Sequence, residues 1–284
     1  MMSDYIQHYR DEGYAIIRNV FSRQEIADMA AAAEEVYQEG LRLKQSWRHK
    51  NLYFEVIDDK AGGTIVRQVQ WVSWCSPRLE AVRRDKRILE ILEPMIGKNL
   101  KQLGNQIHWK RPGAKMVGFR YHQDARFRTP PEAFRKLNDS FVQTGLAIDP
   151  HRLDNGALKI FPGSHKLGYL GLSEIGYLMK GNPEAGTLAA AGLDPAKVVN
   201  VLMEPGDVTL WHPLTVHGSG ANTSQIDRRI YINGYATAEN TDRGEWAFRD
   251  GIPCPLGAEP ALVHYEDLYK RPEPHYVDNS WAQD

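Results

Sequence analysis

His122-Gln123-Asp124 closes the strand-like run Met116-Val117-Gly118-Phe119-Arg120-Tyr121. Side chains alternate across an extended strand, so His122 and Asp124 share a face and can offer an imidazole nitrogen and a carboxylate oxygen to one metal ion. So short a pattern is common by chance and gains weight only with a third donor. Glu204-Pro205-Gly206-Asp207-Val208-Thr209-Leu210-Trp211-His212-Pro213-Leu214-Thr215-Val216-His217 supplies a turn, a strand and then a histidine in a Gly/Ser-rich turn. Two histidines and one carboxylate on one face leave the opposite coordination positions open, the arrangement of non-haem iron(II) oxygenases. His212 competes with His217 as third donor, and Pro213 argues for His217.

Arg228 opens the run Arg228-Arg229-Ile230-Tyr231-Ile232-Asn233-Gly234-Tyr235. Parity groups it with Ile230 and Ile232 on the apolar, inward face, while Arg229 goes with Tyr231 and Asn233. An inward guanidinium is costly without an anion. A carboxylate held in bidentate fashion satisfies it, and the distal carboxylate of 2-oxoglutarate is the candidate. The alternation that turns His122 and Asp124 inward also turns Arg120 inward, and carries Arg126 and Arg128 with it if the extended chain continues. These arginines predict a small-molecule substrate with a carboxylate or phosphate-like group. The bland alternative is a strand that ends at Asp124, with the arginines paired to surface carboxylates.

The elements that must hold these residues follow from patterning. Ser22-Arg23-Gln24-Glu25 has the form of a capping box, and apolar or small residues at Ile26, Met29, Ala30, Ala33 and Tyr37 predict a helix to about Leu43. Residues 52–58 and 64–74 read as a hairpin, and 77–96 as helical, ending near Gly97. Short strand-like runs follow at 101–110, 116–123, 141–148, 157–161, 199–203, 208–212 and 228–236. Separated by Gly, Pro, Asn and Asp, they predict a barrel or double-sheet jelly roll. Residues 164–198 are too long for a simple turn and hold a helix-like piece near 172–180, which suggests a lid or insertion. The expected organisation is one domain: a helical part over about 1–98, a core over about 99–236, and an irregular tail, 237–284, with five prolines.

With 35 basic and 36 acidic residues in 284, the formal charge is -1, and no overall field favours nucleic acid or an anionic membrane. The 42% hydrophobic and 25% charged content is ordinary for a globular chain. Cys75 and Cys254 stand far apart, without a zinc or redox pattern. The N-terminus has no apolar h-region and nowhere do eighteen apolar residues run together, so a cytoplasmic protein, monomer or homodimer, is expected.

Taken in order, the H-x-D pair, Asn155-Gly156-Ala157-Leu158-Lys159-Ile160-Phe161-Pro162-Gly163-Ser164-His165-Lys166, and His212 through Ser224 with Arg228 resemble the phytanoyl-CoA dioxygenase family. The resemblance runs from Glu12-Gly13-Tyr14 to about residue 236. It implies a mainly β chain with flanking helices around a double-stranded β-helix, a cupin-like jelly roll, using Fe(II), 2-oxoglutarate and O2. It implies His122, Asp124 and His217 as metal ligands, and Arg228, eleven residues after His217, as the 2-oxoglutarate anchor assisted by Ser219. Gln106 and Thr144 fall where family members contact co-substrate or substrate. Hydroxylation is the default reaction, while desaturation, epoxidation, ring formation and endoperoxidation use the same ligands. A cupin-like metal or ligand-binding protein without oxygenase chemistry is the alternative of another class.

Gly145 stands close to where relatives often carry tryptophan, which predicts a wider pocket wall there. His165 is expected to bond to backbone in a turn, and His8, His49, His108, His151, His264 and His275 to have ordinary roles. Trp71, Trp74 and Trp211 are expected in the core.

Overall fold

The computed structural model describes residues 2–59, 63–114, 117–172, 185–261 and 273–278. Its centre is eight strands: β5 (Leu100–Lys110), β6 (Phe119–His122), β7 (Phe141–Ala147), β8 (Leu158–Ile160), β9 (Val199–Val201), β10 (Val208–Trp211), β11 (His217–Ser219) and β12 (Arg228–Thr237). One sheet contains the order β10-β7-β12-β5 and the other is β6-β11-β8-β9, all antiparallel. The chain changes sheet at every step except from β8 to β9, which is the path of a double-stranded β-helix.

The first sheet is extended on both sides. Strand β1 (Tyr14–Ile17) pairs with β10, and β4 (Gly63–Gln70), β3 (Leu52–Asp59) and β2 (Trp47–His49) continue outward from β5. The 52–74 hairpin is therefore present, with its last residues, Val72–Trp74, in a 3-10 turn. The tail is less irregular than its prolines suggest: β13 (Glu245–Arg249) pairs with the start of β5, β14 (Ile252–Pro253) with β13, and β15 (His275–Tyr276) with β2.

Strand parity splits the core in two. Outward residues of the first sheet, among them Trp109, Leu146, Leu210, Tyr231 and Tyr235, share one core with Ile26, Met29, Ala33, Val36 and Tyr37 of α2 (Arg23–Leu43). Its start carries the complete capping box, with the Glu25 carboxylate accepting from the Ser22 N–H at 2.8 Å. Inward residues Ala147, Trp211, Ile230 and Ile232 meet Leu158, Ile160 and Val201 of the second sheet.

The helical stretch 77–96 is two helices, α3 (Pro77–Arg83) and α4 (Lys86–Ile96), divided where Asp85 caps α4 by accepting from the Arg87 N–H. Between β8 and β9 lie a 3-10 turn at Ser164–Leu167 and a short helix at Ala185–Ala190, while most of the expected helical piece near 172–180 falls outside the described residues. No helix among the described residues is long and apolar enough to cross a membrane.

Candidate active site

The second sheet assembles the metal-binding constellation. His217 pairs directly with His122 across β11 and β6, so both rings project on one face, 4.3 Å apart between centroids. Gln123 remains extended and Asp124 begins a 3-10 turn, which keeps its carboxylate on the His122 side. His122 Nε2 lies 3.6 Å and His217 Nε2 3.7 Å from Asp124 oxygens, and one donor atom from each residue falls within 4.8 Å of the others.

The rings are oriented for coordination. His122 Nδ1 lies 2.7 Å from the Arg120 carbonyl and His217 Nδ1 2.9 Å from the Thr215 carbonyl. A carbonyl oxygen can only accept, so each Nδ1 carries the proton and each Nε2 presents a lone pair. Burial, then the neighbouring His122, pushes His217 down to about 4. Burial alone would raise the Asp124 carboxyl, but the facing His217 and His122 rings overcome it and hold the group well below the usual carboxylate range. A neutral His217 ring beside an ionised Asp124 is what a divalent metal needs, and this donor set of two imidazoles and a carboxylate fits iron(II).

Trp211 was expected only to fill the core. It is buried, and its Nε1–H donates to Asp124 Oδ2 at 2.8 Å, which fixes the carboxylate. Its ring also corrects the expectation at Gly145. A Cβ there would meet Ile230 Cδ1 at 2.8 Å and Trp211 Cζ3 at 3.0 Å, so the space is filled by neighbours and the wall is not widened.

The triad opens into a cavity of about 170 Å³ between the two sheets. Arg228 stands at one end, facing inward with Ile230 and Ile232, while Arg229 turns outward to a two-pronged pair with Asp149 at 2.8 Å. Burial pushes the Arg228 guanidinium down to about 9, with Asp149 opposing the shift. Arg228 Nε has no hydrogen-bond partner in the protein. Opposite it on β5, Lys110 is buried and donates to Ser219 Oγ at 2.7 Å and to the Gly220 carbonyl. Burial and the nearby Arg228 and Arg67 lower Lys110 well below the ordinary lysine range. His108, two residues earlier on the same face, stacks on Phe119 at 4.6 Å, and its buried Nε2 has no partner. Parity from Gln106 along the predicted strand could have found both Lys110 and His108.

Ser219 and Gln106 line the cavity. Thr144 does not: Gly145, opposite Ile232, takes the inward position, and Thr144 faces the other side with its hydroxyl donating to the Asn233 carbonyl at 3.0 Å. The expectation for Arg120 and Arg126 is also corrected. A register shift within β6 turns Phe119 rather than Arg120 to the cavity together with His122, and beyond His122 the chain turns through the 3-10 segment Asp124–Phe127, so inward alternation stops before Arg126. Arg120 and Arg126 lie outside the cavity wall, with the Arg126 guanidinium 5.2 Å from the Phe127 ring centre, while Arg128 joins the wall. His212 is held apart from the triad by Asn138 O at 2.8 Å and the Leu214 N–H at 3.1 Å, and His165 bonds to the Arg10 carbonyl in its turn.

Residues 9–230 match the Phytanoyl-CoA dioxygenase (PhyH) family. The chain belongs to this family. The family's members among the relatives and structural neighbours are 2-oxoglutarate-dependent non-haem iron dioxygenases, and this chain is one of that class. A probable alpha-ketoglutarate-dependent hypophosphite dioxygenase of Stutzerimonas stutzeri is 28% identical, the match covering 84% of this chain and 80% of that protein. An ectoine dioxygenase of Bordetella bronchiseptica is 22% identical over 85% of this chain and 77% of its own length. Among solved structures, EctD from S. alaskensis with bound Fe superposes with a TM-score of 0.66 at 17% identity, covering 92% of this chain and 88% of that one. EctD with 2-oxoglutarate and 5-hydroxyectoine gives 0.65 at 19%, covering 92% and 86%. The shared fold is the double-stranded β-helix traced above.

Proposed function

We propose that this dioxygenase hydroxylates an unactivated C–H bond of a small-molecule substrate. Substrate, O2 and 2-oxoglutarate are converted to hydroxylated product, succinate and CO2. His122, Asp124 and His217 hold Fe(II), and Arg228, with Lys110 and Ser219 beside it, takes the far carboxylate of 2-oxoglutarate. Iron and co-substrate, when bound, supply the oxidising chemistry. The chain's own part is to fix both, to exclude water, and to place the C–H bond beside the metal.

The observation that carries this reading is a buried guanidinium with an unpartnered Nε at the end of a cavity whose wall also presents two imidazoles and a carboxylate. Gln106 on the same wall is assigned to co-substrate or substrate. The relative named for hypophosphite, a very small substrate, is in keeping with the modest cavity.

The test is anaerobic addition of Fe(II) and 2-oxoglutarate to the purified protein, which should produce a visible metal-to-ligand charge-transfer absorption. Oxygen with substrate should then release succinate together with hydroxylated product. Persistence of the band and of turnover in His217→Ala would sink the ligand assignment.

A further inference from the structure

Level with the metal triad, the floor of the cavity is bare backbone. On the first sheet Arg228 stands opposite Lys110, and Gly234 stands opposite Gly104. Six residues at about 3.3 Å each lead from Arg228 to Gly234, so the two levels are about 20 Å apart along the sheet. Trp211, which holds Asp124, pairs with Gln143, and Gln143 pairs with Gly234, so the triad stands near the Gly104 level. Gly104 lines the cavity, and a Cβ built on it would meet only the Gly234 nitrogen, at 3.9 Å, among the described residues. At Gly234 a Cβ would strike Gln143 Oε1. The floor is therefore open at Gly104 and covered at Gly234 by the Gln143 amide.

Trp71 bounds this space. It lines the cavity with a φ of 54°, a backbone conformation that a bulky residue keeps only where its surroundings impose it. Asn105 imposes it here. Its carbonyl accepts from the Trp71 N–H, and its Oδ1 accepts from the Ser73 N–H at 3.0 Å. Its buried Nδ2 donates to the Tyr231 hydroxyl at 2.6 Å and to Asn233 Oδ1 at 2.7 Å. Gln70, just before Trp71, pairs with Gln106 across β4 and β5, and both line the cavity. Gln143 is 4% exposed, and its Oε1 is buried without a hydrogen-bond partner. Such an acceptor costs about 1–3 kcal/mol until a donor reaches it. The Arg128 guanidinium on the same wall is engaged electrostatically with Asp124, so recognition at this level falls to amides and an indole.

We infer that the substrate is a small uncharged compound with an amide-like edge, seated on Gly104 beside Trp71, its N–H donating to Gln143 Oε1. Its carbonyl accepts from the Gln70 or Gln106 amide, since a primary amide offers donors as well as an acceptor. The indole gives an apolar surface for the rest of the molecule. The inference rests on the proposed function for the chemistry, but its binding test does not.

The full-length protein is loaded anaerobically with Fe(II) and 2-oxoglutarate and titrated, by thermal shift, with three probes of similar size. They are 2-pyrrolidinone, N-methyl-2-pyrrolidinone, which lacks the N–H, and cyclopentanecarboxylate, which is an anion. The first should stabilise the protein at the lowest concentration. Gln143→Leu, checked for folding by circular dichroism, should raise its half-saturating concentration about three- to tenfold. Gly104→Ala should raise it at least about fivefold by filling the seat, without lowering the Tm of the probe-free protein, because the added methyl strikes nothing. Absence of any response to 2-pyrrolidinone, an equal or stronger response to either other probe, or wild-type half-saturation in Gly104→Ala would overturn the inference. So would disappearance of the 2-oxoglutarate absorption in Gly104→Ala, which would assign the seat to the co-substrate. If the wild type shows no such absorption, the proposed function fails, while the probe comparison between wild type and Gly104→Ala still decides the seat.

Discussion

Trp211 and Asp124 meet through one indole N–H bond of 2.8 Å, and that bond leaves the carboxylate little freedom to rotate away from the two Nε2 atoms. Trp211→Phe keeps most of the ring volume and removes the donor. Partners of this kind are worth about ten- to a hundredfold in metal affinity. The variant should therefore bind Fe(II) more weakly by that factor in an anaerobic titration, and unchanged affinity would reduce the bond to packing. In the proposed reading Arg228 acts on the co-substrate instead. Arg228→Ala removes a charge-assisted pair worth about 1.5–3 kcal/mol, so the apparent KM for 2-oxoglutarate should rise by about ten- to more than a hundredfold. Succinate release at varied 2-oxoglutarate measures it, and an unaltered KM would move the anchor to Lys110.

At the scale of elements, β7 and β10 show how backbone spacing sets the site. Gly145 pairs with Thr209, and the missing Cβ admits the Trp211 ring of the neighbouring pair. Gly145→Ala forces Trp211, Ile230 or Thr209 to move, because its Cβ would approach all three within 3.1 Å. Overpacking of this kind costs about 1–3 kcal/mol, so Tm should fall by several degrees. Iron affinity should fall with it, since the displaced ring carries the Asp124 donor. A variant with lower Tm but wild-type Fe(II) binding would separate packing from ligand positioning. Strand β12 does the opposite service. Paired with β5 along its length and with β7 from Ile230 to Ala236, it stays regular through its first half, so parity sends Arg228 to the cavity and Arg229 to Asp149.

Across the whole molecule, the site is a seam between two sheets, and ligands that fill it should bind the folded state alone. Fe(II) with 2-oxoglutarate at about a hundred times its dissociation constant should add about 2.7 kcal/mol of stability, seen as a higher Tm that chelator reverses. His217→Ala should lose the metal-dependent part of that rise. How much of this was written in the residues differs from place to place. The H-x-D pair, the distal histidine, the inward arginine and the strand series were legible because each depends on local alternation or turn chemistry, which the chain carries wherever it folds. Arg126 was misplaced because the chain leaves the extended state after Asp124, where the Ala125 N–H bonds to the Pro213 carbonyl of a distant loop at 3.0 Å. Arg128 reaches the cavity wall only as a result of that turn. Thr144 was misassigned because strand position alone does not tell which face meets the second sheet. Lys110 opposite Arg228, Trp211 on Asp124 and the filled space above Gly145 likewise exist only through cross-strand pairing. The sequence by itself determined which donors this protein has and the strands that carry them. The tertiary structure decided which side chains share the cavity, because that depends on register and backbone contacts between segments far apart in the chain.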